Sequence, residues 1–361
     1  MDKTKNIIQV FASSFWGGGE VFVYDLGKEL IKDNYNIVFV SKKSKVIKEK
    51  LQNIAPCYQL PLKGIFDIYS AFLLSKIIRK ENISIIHCHN FKTAFICLYA
   101  KILSKKDVRI ILSRHFIKKA KKGFIYMWLY RHIEKIIFVS NAALEEFAQT
   151  YKGDKTKLCV IHNSIKEPKI NETISIRTKL NIPPSTFLLA FVGRLEAEKG
   201  VEVLLNAVCN LKNENIFLII IGRGEKEYEE KLKDIVRKNE IEDKVNFLGF
   251  SKDVPSIIKD VDIGICPSIW REAGSLSIIE FMLLGKVVIS TNNGAQKEYI
   301  ENFQTGILIE PNDSYALTNA IKQLINNPKQ ISIIGNNAKQ YFEKELSYNK
   351  FYQKIKDIYQ E

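Results

Sequence analysis

The sequence predicts an α/β protein built from two Rossmann-like, doubly wound domains facing a central cleft. Three observations lead there. Short Ile/Val-rich runs alternate with amphipathic segments along the chain, the alternation restarts after a polar, proline-bearing stretch at 165–186, and 361 residues exceed one ordinary core.

In the first half, IIQVFA (7–12), NIVFVS (36–41), ISIIHCH (83–89), VRIILSRH (108–115) and KIIFVS (135–140) are near-continuous apolar runs. Strands of a parallel sheet, buried on both faces, require that pattern. A glycine-rich turn and a helix from about Glu20 to Lys32 follow the first run. The second half repeats the plan with FLLAFVG (187–193), IFLIIIG (216–222), KVNFLG (244–249), VDIGICPS (261–268) and KVVIST (286–291), and its clearest helix is EYEEKLKDIVRKN (227–239). These spans set one domain at 1–165 and a second at 166–345, with 165–186 as a linker. The tail 346–361 carries Phe351, Ile355, Ile358 and Tyr359 at helical spacing, so a C-terminal helix is expected to pack back toward the N-terminal domain.

Composition narrows the class. With 46% apolar and 26% charged residues the chain is ordinary globular protein, which excludes disordered and collagen-like classes. No apolar run is long enough to span a bilayer, and MDKTKNIIQVF lacks a signal-peptide core, so a cytoplasmic location is expected. The six cysteines are scattered without a CxxC pair and read as reduced core residues. Charge is uneven. Residues 1–165 hold 28 Lys and Arg against 13 Asp and Glu, whereas residues 166–361 hold 26 against 27. A basic half beside a neutral half implies that one domain meets an anionic surface or polyanion.

Ligands of such sheets bind outside the carboxyl ends of the strands, and the chemistry-bearing residues gather in those loops. FVGRLEAEKG (191–200) ends a strand at Gly193 and then places Arg194 and Lys199 five apart before Gly200. A guanidinium and an ammonium beside a glycine turn suit a diphosphate; two solvated cations on a plain connection are the alternative. In PSIWREAGSLSIIE (267–280), Glu272 precedes a helix that starts at Gly274-Ser275-Leu276, and Glu280 lies two turns into it. The free N–H groups of that helix start favour a phosphate, and a carboxylate two turns on can accept both hydroxyls of a ribose. Before these, Trp16-Gly17-Gly18-Gly19-Glu20 follows the first strand and His115 ends another. Glycines at such a turn are a weak signal, and a lone strand-end histidine is ordinarily structural. His87 and His89 share a strand face without a third ligand at suitable spacing, so no metal site is expected.

Taken together, VGRLEAEKG, EAGSLSIIE, GKVVISTNNGAQKEYI and TGILIEPND resemble the retaining glycosyltransferases of family 4 (group 1 glycosyltransferases) over essentially the whole chain. The resemblance implies a GT-B fold and a metal-independent enzyme without cofactor, transferring a sugar from a nucleotide-diphosphate-sugar to an acceptor hydroxyl. It implies that Arg194 and Lys199 hold the donor diphosphate, that Glu272 faces the donor sugar and that Glu280 binds the ribose. Gly18 and Gly19 match a loop that lets backbone approach the donor phosphate and the acceptor, and His115 matches a position near the donor sugar and acceptor hydroxyl. The chain departs from the family pattern at Ala273-Gly274-Ser275 and at Asn293-Gly294-Ala295 with Glu298, which bears on the identity of the donor sugar.

One further stretch, RHFIKKAKKGFIYMWLYRHIEK (114–135), interleaves Lys118, Lys119, Lys121 and Lys122 with aromatics including Trp128. Such a mixture suits an anionic membrane surface, nucleic acid or a solvated helix. The basic half favours peripheral attachment at the inner face of the cell membrane and a glycan or lipid-linked acceptor of a bacterial envelope, with no nucleic-acid partner. Two rivals are a nucleotide-sugar epimerase of the same two-domain fold, which needs no acceptor, and a nucleic-acid-binding protein, which leaves Glu272 and Glu280 unexplained.

Overall fold

The computed structural model describes residues 5–14, 16–173 and 175–361. The chain divides into two compact units, Met1–Asn163 with Asn349–Glu361, and Ser164–Tyr348.

In the first unit, strands β1 (Asn6–Val10), β2 (Asn36–Ser41), β3 (Cys57–Gln59), β4 (Ile85–Cys88), β5 (Arg109–Arg114), β6 (Lys135–Phe138) and β7 (Leu158–Val160) form a sheet in the order β3-β2-β1-β4-β5-β6-β7. Every pairing is parallel, Ile8 of β1 lying against Val38 of β2 and Ile86 of β4. Ile7, Ile8, Ile85 and Ile86 are all inaccessible to solvent, so the strands are covered on both faces as their unbroken apolar runs demand. The helix Tyr348–Gln360 belongs here. It buries Phe351, Ile355, Ile358 and Tyr359, and Arg109 donates to the carbonyls of Ile358 and Tyr359 at its end.

The second unit repeats the plan with β8 (Phe187–Val192), β9 (Ile216–Ile221), β10 (Val245–Gly249), β11 (Ile263–Cys266), β12 (Val287–Thr291) and β13 (Ile307–Ile309), ordered β10-β9-β8-β11-β12-β13 and again wholly parallel. One core lies on each face of this sheet. The stretch expected as a linker is docked here: Ile176 and Ile182 enter the core, and Arg177 binds Asp262 at 2.6 Å and the carbonyls of Asp260, Pro183 and Thr186.

In each sheet the first strand of the unit has neighbours reached by connections running in opposite directions, β2 and β4 for β1, β9 and β11 for β8. That reversal opens a crevice at the carboxyl ends of the paired strands, the usual ligand position in such sheets. Among the described residues, no helix is long and apolar enough to cross a membrane.

Candidate functional site

In the second unit, backbone contact brings two sequence motifs together. The loop after β8 closes with one 3-10 turn, Ala197–Lys199, and Gly200 at φ +71°. A Cβ at Gly200 would lie 2.0 Å from the carbonyl oxygen of Pro267, so only glycine lets this loop press on the loop after β11. The amides of Ile269 and Trp270 then donate to the Glu198 carbonyl at 2.9 and 3.2 Å. On its other side the β11 loop meets Gly294, whose Cβ would fall 2.6 Å from the Glu272 backbone carbonyl oxygen, and Ala295 N donates to that carbonyl at 2.9 Å.

This double docking sets Lys199 Nζ 2.9 Å from Glu272 Oε1, with both side chains mostly buried. Ser268 Oγ donates to the same carboxylate oxygen. Arg194 lies elsewhere, 69% exposed, with Nη1 2.5 Å from Glu196. The helix Leu276–Leu283 starts beside Glu272 with Ser275 as N-cap residue, but the Ser275 hydroxyl bonds Ser277 at 3.0 Å and leaves the first N–H groups without a side-chain cap. Gly274 in front of it adds no side chain, and Leu276 is half-buried in its first turn. Glu280 sits one turn into this helix, and burial pushes its pKa up to about 7. No described residue pairs with its carboxylate.

In the first unit, Gly18 and Gly19 form the first turn of the helix Gly18–Lys32, two residues earlier than the sequence suggests, because Glu20 caps it by accepting from Gly17 N at 3.0 Å. A Cβ at Gly19 would meet nothing within 4 Å. The histidines of β4 and β5 stack in a row: His87 and His89 centroids are 4.4 Å apart, and His89 and His115 5.9 Å. His87 spends both nitrogens on protein, Nδ1 on Tyr359 at 2.6 Å and Nε2 on Ser113 at 2.7 Å. Burial lowers the pKa of His87 to about 3 and, together with the neighbouring Arg114, that of His115 to about 4, so both are neutral at physiological pH. Among the described residues no three His, Cys, Asp or Glu side chains are grouped to hold a metal. Lys118, Lys119, Lys121 and Lys122 are exposed on an irregular segment before the helix Phe124–His132. Trp128 on that helix is half-buried and stacked on Tyr99 at 5.9 Å.

The family model "Glycosyltransferase Family 4" matches residues 16–167, and "Glycosyl transferases group 1" matches residues 172–341. The chain is built from two glycosyltransferase domains. Over 351 residues it is 25% identical to a UDP-Gal:alpha-D-GlcNAc-diphosphoundecaprenol alpha-1,3-galactosyltransferase of Escherichia coli, covering 91% of this chain and 90% of the relative. A capsular polysaccharide biosynthesis glycosyltransferase, CapM of Staphylococcus aureus, is 24% identical with 91% of each chain covered. The crystal structure of Anabaena Alr3699/HepE in complex with UDP and glucose superimposes with a TM-score of 0.86 at 22% identity, over 99% of both chains. The fold of this glycosyltransferase is accordingly GT-B.

Sequence reasoning missed two features of this glycosyltransferase. A cavity of about 440 Å³ opens at the carboxyl ends of β8–β10, lined by Leu195, Arg223, Lys226, Lys233 and Phe247 among others. Its signal was the glycine that ends each of these strands. Gly222, at φ +151°, would place a Cβ 1.7 Å from the Gly193 carbonyl oxygen, so the first two loops lie side by side only without a side chain there, and Gly249 is favoured by its φ of +71°. The second feature is a cluster of exposed apolar side chains, Phe66, Ile68, Tyr69 and Phe72, at the start of the helix Ile68–Lys80 in the first unit. KGIFDIYSAF carries apolar residues on more than one helical face, the pattern that marks it.

Proposed function

We propose that the chain is a retaining, metal-independent glycosyltransferase that moves a sugar from a nucleotide-diphosphate-sugar to a hydroxyl of a lipid-linked envelope glycan. The Lys199–Glu272 pair beside an uncapped helix start carries this reading. A cation, an anion-seeking helix terminus and a carboxylate within one docked pair of loops suit a phosphate with a hydroxyl-bearing sugar attached.

In this reading Lys199, Arg194 and the N–H groups at Ser275-Leu276 stabilise the departing diphosphate, the place where charge develops as the anomeric C–O bond breaks. Gly193 and Gly274 let backbone come close to it. Glu272, relieved of Lys199, accepts from the sugar hydroxyls; Glu280 accepts from the ribose, and the cavity at β8–β10 takes the nucleoside base. Gly18, Gly19 and His115 serve the acceptor side, and the acceptor proton ends on the departing diphosphate oxygen. Lys118, Lys119, Lys121 and Lys122, with the exposed aromatics Phe66, Tyr69, Phe116 and Phe124, hold the protein on an anionic membrane.

A thermal-shift series with UDP, UDP-glucose and UDP-galactose tests the donor assignment, because a ligand specific to the native state raises apparent stability. Stabilisation by at least one UDP-sugar, and transfer that survives EDTA with the anomeric configuration kept, is the expected result. No stabilisation by any nucleotide-sugar, or transfer that needs added Mg²⁺ or Mn²⁺, overturns it.

A further inference from the structure

A second cavity, of about 390 Å³, lies wholly within the first unit at the carboxyl ends of its strands. Its charge is one-sided: Lys42, Lys63, Lys92, Lys118, Lys119 and Lys121 line it with Arg114, and no Asp or Glu does. None of these cations is in an ion pair with a described residue. Arg114 is the unusual member. Its guanidinium lies over the rings of Phe91 and Phe147 at 4.8 and 4.7 Å, one Nη2 bond reaches the Lys118 carbonyl at 3.2 Å, and Nε is buried without a partner. A guanidinium half-buried on aromatic faces, with its Nε buried and no counter-charge beside it, gains when an anion completes it.

A hydrogen-bond chain supplies the neutral half of the site. Gln9 Nε2 donates to Tyr359 OH at 3.0 Å, so Gln9 Oε1 is left to accept from His89 Nε2 at 2.8 Å. Burial holds His89 neutral, so its Nδ1 is a bare acceptor, and it too is buried without a partner. Tyr359 in turn donates to His87 Nδ1, and His87 Nε2 donates to Ser113 Oγ, which keeps its own proton to give. Both ends of the chain, His89 and Ser113, line the cavity, together with apolar Leu62, Phe91 and Phe116.

We propose that this cavity holds the phosphate of an acceptor whose sugar is phosphate-linked to an apolar chain. Arg114 and the lysines around it take the phosphate oxygens, Ser113 donates to them, His89 Nδ1 accepts a sugar hydroxyl, and Leu62, Phe91 and Phe116 take the start of the chain. This rests on the reading that the first unit serves the acceptor.

The test is calorimetry on the full-length protein, with excess UDP present, using farnesyl diphosphate, inorganic pyrophosphate and farnesol as probes. Farnesyl diphosphate is expected to bind, pyrophosphate more weakly and farnesol not measurably. Replacing exposed Lys63 and Lys92 together by alanine weakens farnesyl diphosphate about tenfold or more, on the scale of lost charge-assisted contacts. Arg114→Met abolishes binding where the variant folds, and the double lysine variant decides the matter where it does not. Unchanged affinity in the lysine variant, or equal binding of farnesol, overturns the phosphate site; pyrophosphate binding as tightly as farnesyl diphosphate overturns the lipid-linked source. UDP titrated separately keeps the two readings apart, since loss of UDP binding with farnesyl diphosphate binding intact breaks the donor assignment alone.

Discussion

The two units share one plan and treat charge in opposite ways. Each is a parallel sheet with functional loops where the winding reverses. In the second unit two cations of those loops already have carboxylates, Lys199 with Glu272 and Arg194 with Glu196. In the first, neither Arg114 nor the lysines around the cavity form an ion pair with a described residue, the charge of Lys63 acting on Asp67 only at longer range. A paired site is stable empty and exchanges its carboxylate for a ligand's phosphate, so a donor can enter and its diphosphate product can leave. An unpaired site is held at a standing electrostatic cost and gains most when an anion arrives. The surplus of basic residues over 1–165 is therefore partly a local property of the site as well as a property of the surface.

The largest effect is expected where the charges are unpaired and exposed. Each lysine near an anionic bilayer strengthens binding roughly fivefold. Reversing Lys118, Lys119, Lys121 and Lys122 to glutamate should therefore weaken pelleting with anionic liposomes about 10³-fold or more, with nucleotide binding unchanged. Equal pelleting of wild type and variant would make the contrast between the units irrelevant to membranes.

Next comes the paired site. Lys199→Ala should cost about 10²-fold or more in turnover, the scale of removing one preorganised charge donor. Arg194→Ala should cost less, because its side chain is 69% exposed while that of Lys199 is 25% exposed. Steady-state kinetics on both variants checks the order, and a reversed order would mean that the empty-state pairing does not mark the stronger phosphate contact.

The fold was legible wherever a strand was long and buried on both faces. The ten longer strands announce themselves as Ile/Val runs, whereas β3, β7 and β13 have three residues each and too little pattern to distinguish them from loop. Lys199 and Glu272 were legible as site residues because glycine and charge recur at strand ends. Their direct contact was not, because it depends on Gly200 meeting Pro267 and on Gly294 meeting Glu272, long-range approaches that no local spacing records. Arg114 was invisible for a related reason. Its aromatic neighbours Phe91 and Phe147 come from helices remote in sequence, and only the fold reveals that no carboxylate accompanies them.

Trp128 separates surface from support within the basic stretch. Because its ring is half-buried on Tyr99, Trp128→Ala should destabilise the first unit by about 2 kcal/mol and lower Tm by several degrees. Differential scanning calorimetry reads this directly. A variant with wild-type Tm and lost liposome binding would instead make Trp128 a membrane anchor.

The smallest effect is a pH slope at Glu280, a carboxylate of the candidate donor site that no described cation pairs with. Burial raises its pKa from 4.5 to about 7. Across that window the folded chain keeps a proton that the unfolded chain has lost, so Glu280 makes stability fall as pH rises from 4.5 to about 7, and the contribution levels off above. Ligand binding runs the other way. A ribose diol donates to an ionised carboxylate, so nucleotide affinity should climb as pH passes through about 7 and then flatten. UDP-glucose is the suitable probe, since its diphosphate is doubly esterified and has no group titrating near neutrality. Calorimetry between about pH 6 and about pH 8 should show that climb in wild type and a flat, weaker profile in Glu280→Gln, which keeps the shape but cannot ionise. The same variant should lose the stability slope. If affinity stays flat in wild type while the stability slope is present, Glu280 is buried for packing alone and the ribose lies elsewhere; if both slopes vanish together in Glu280→Gln, one carboxylate accounts for both.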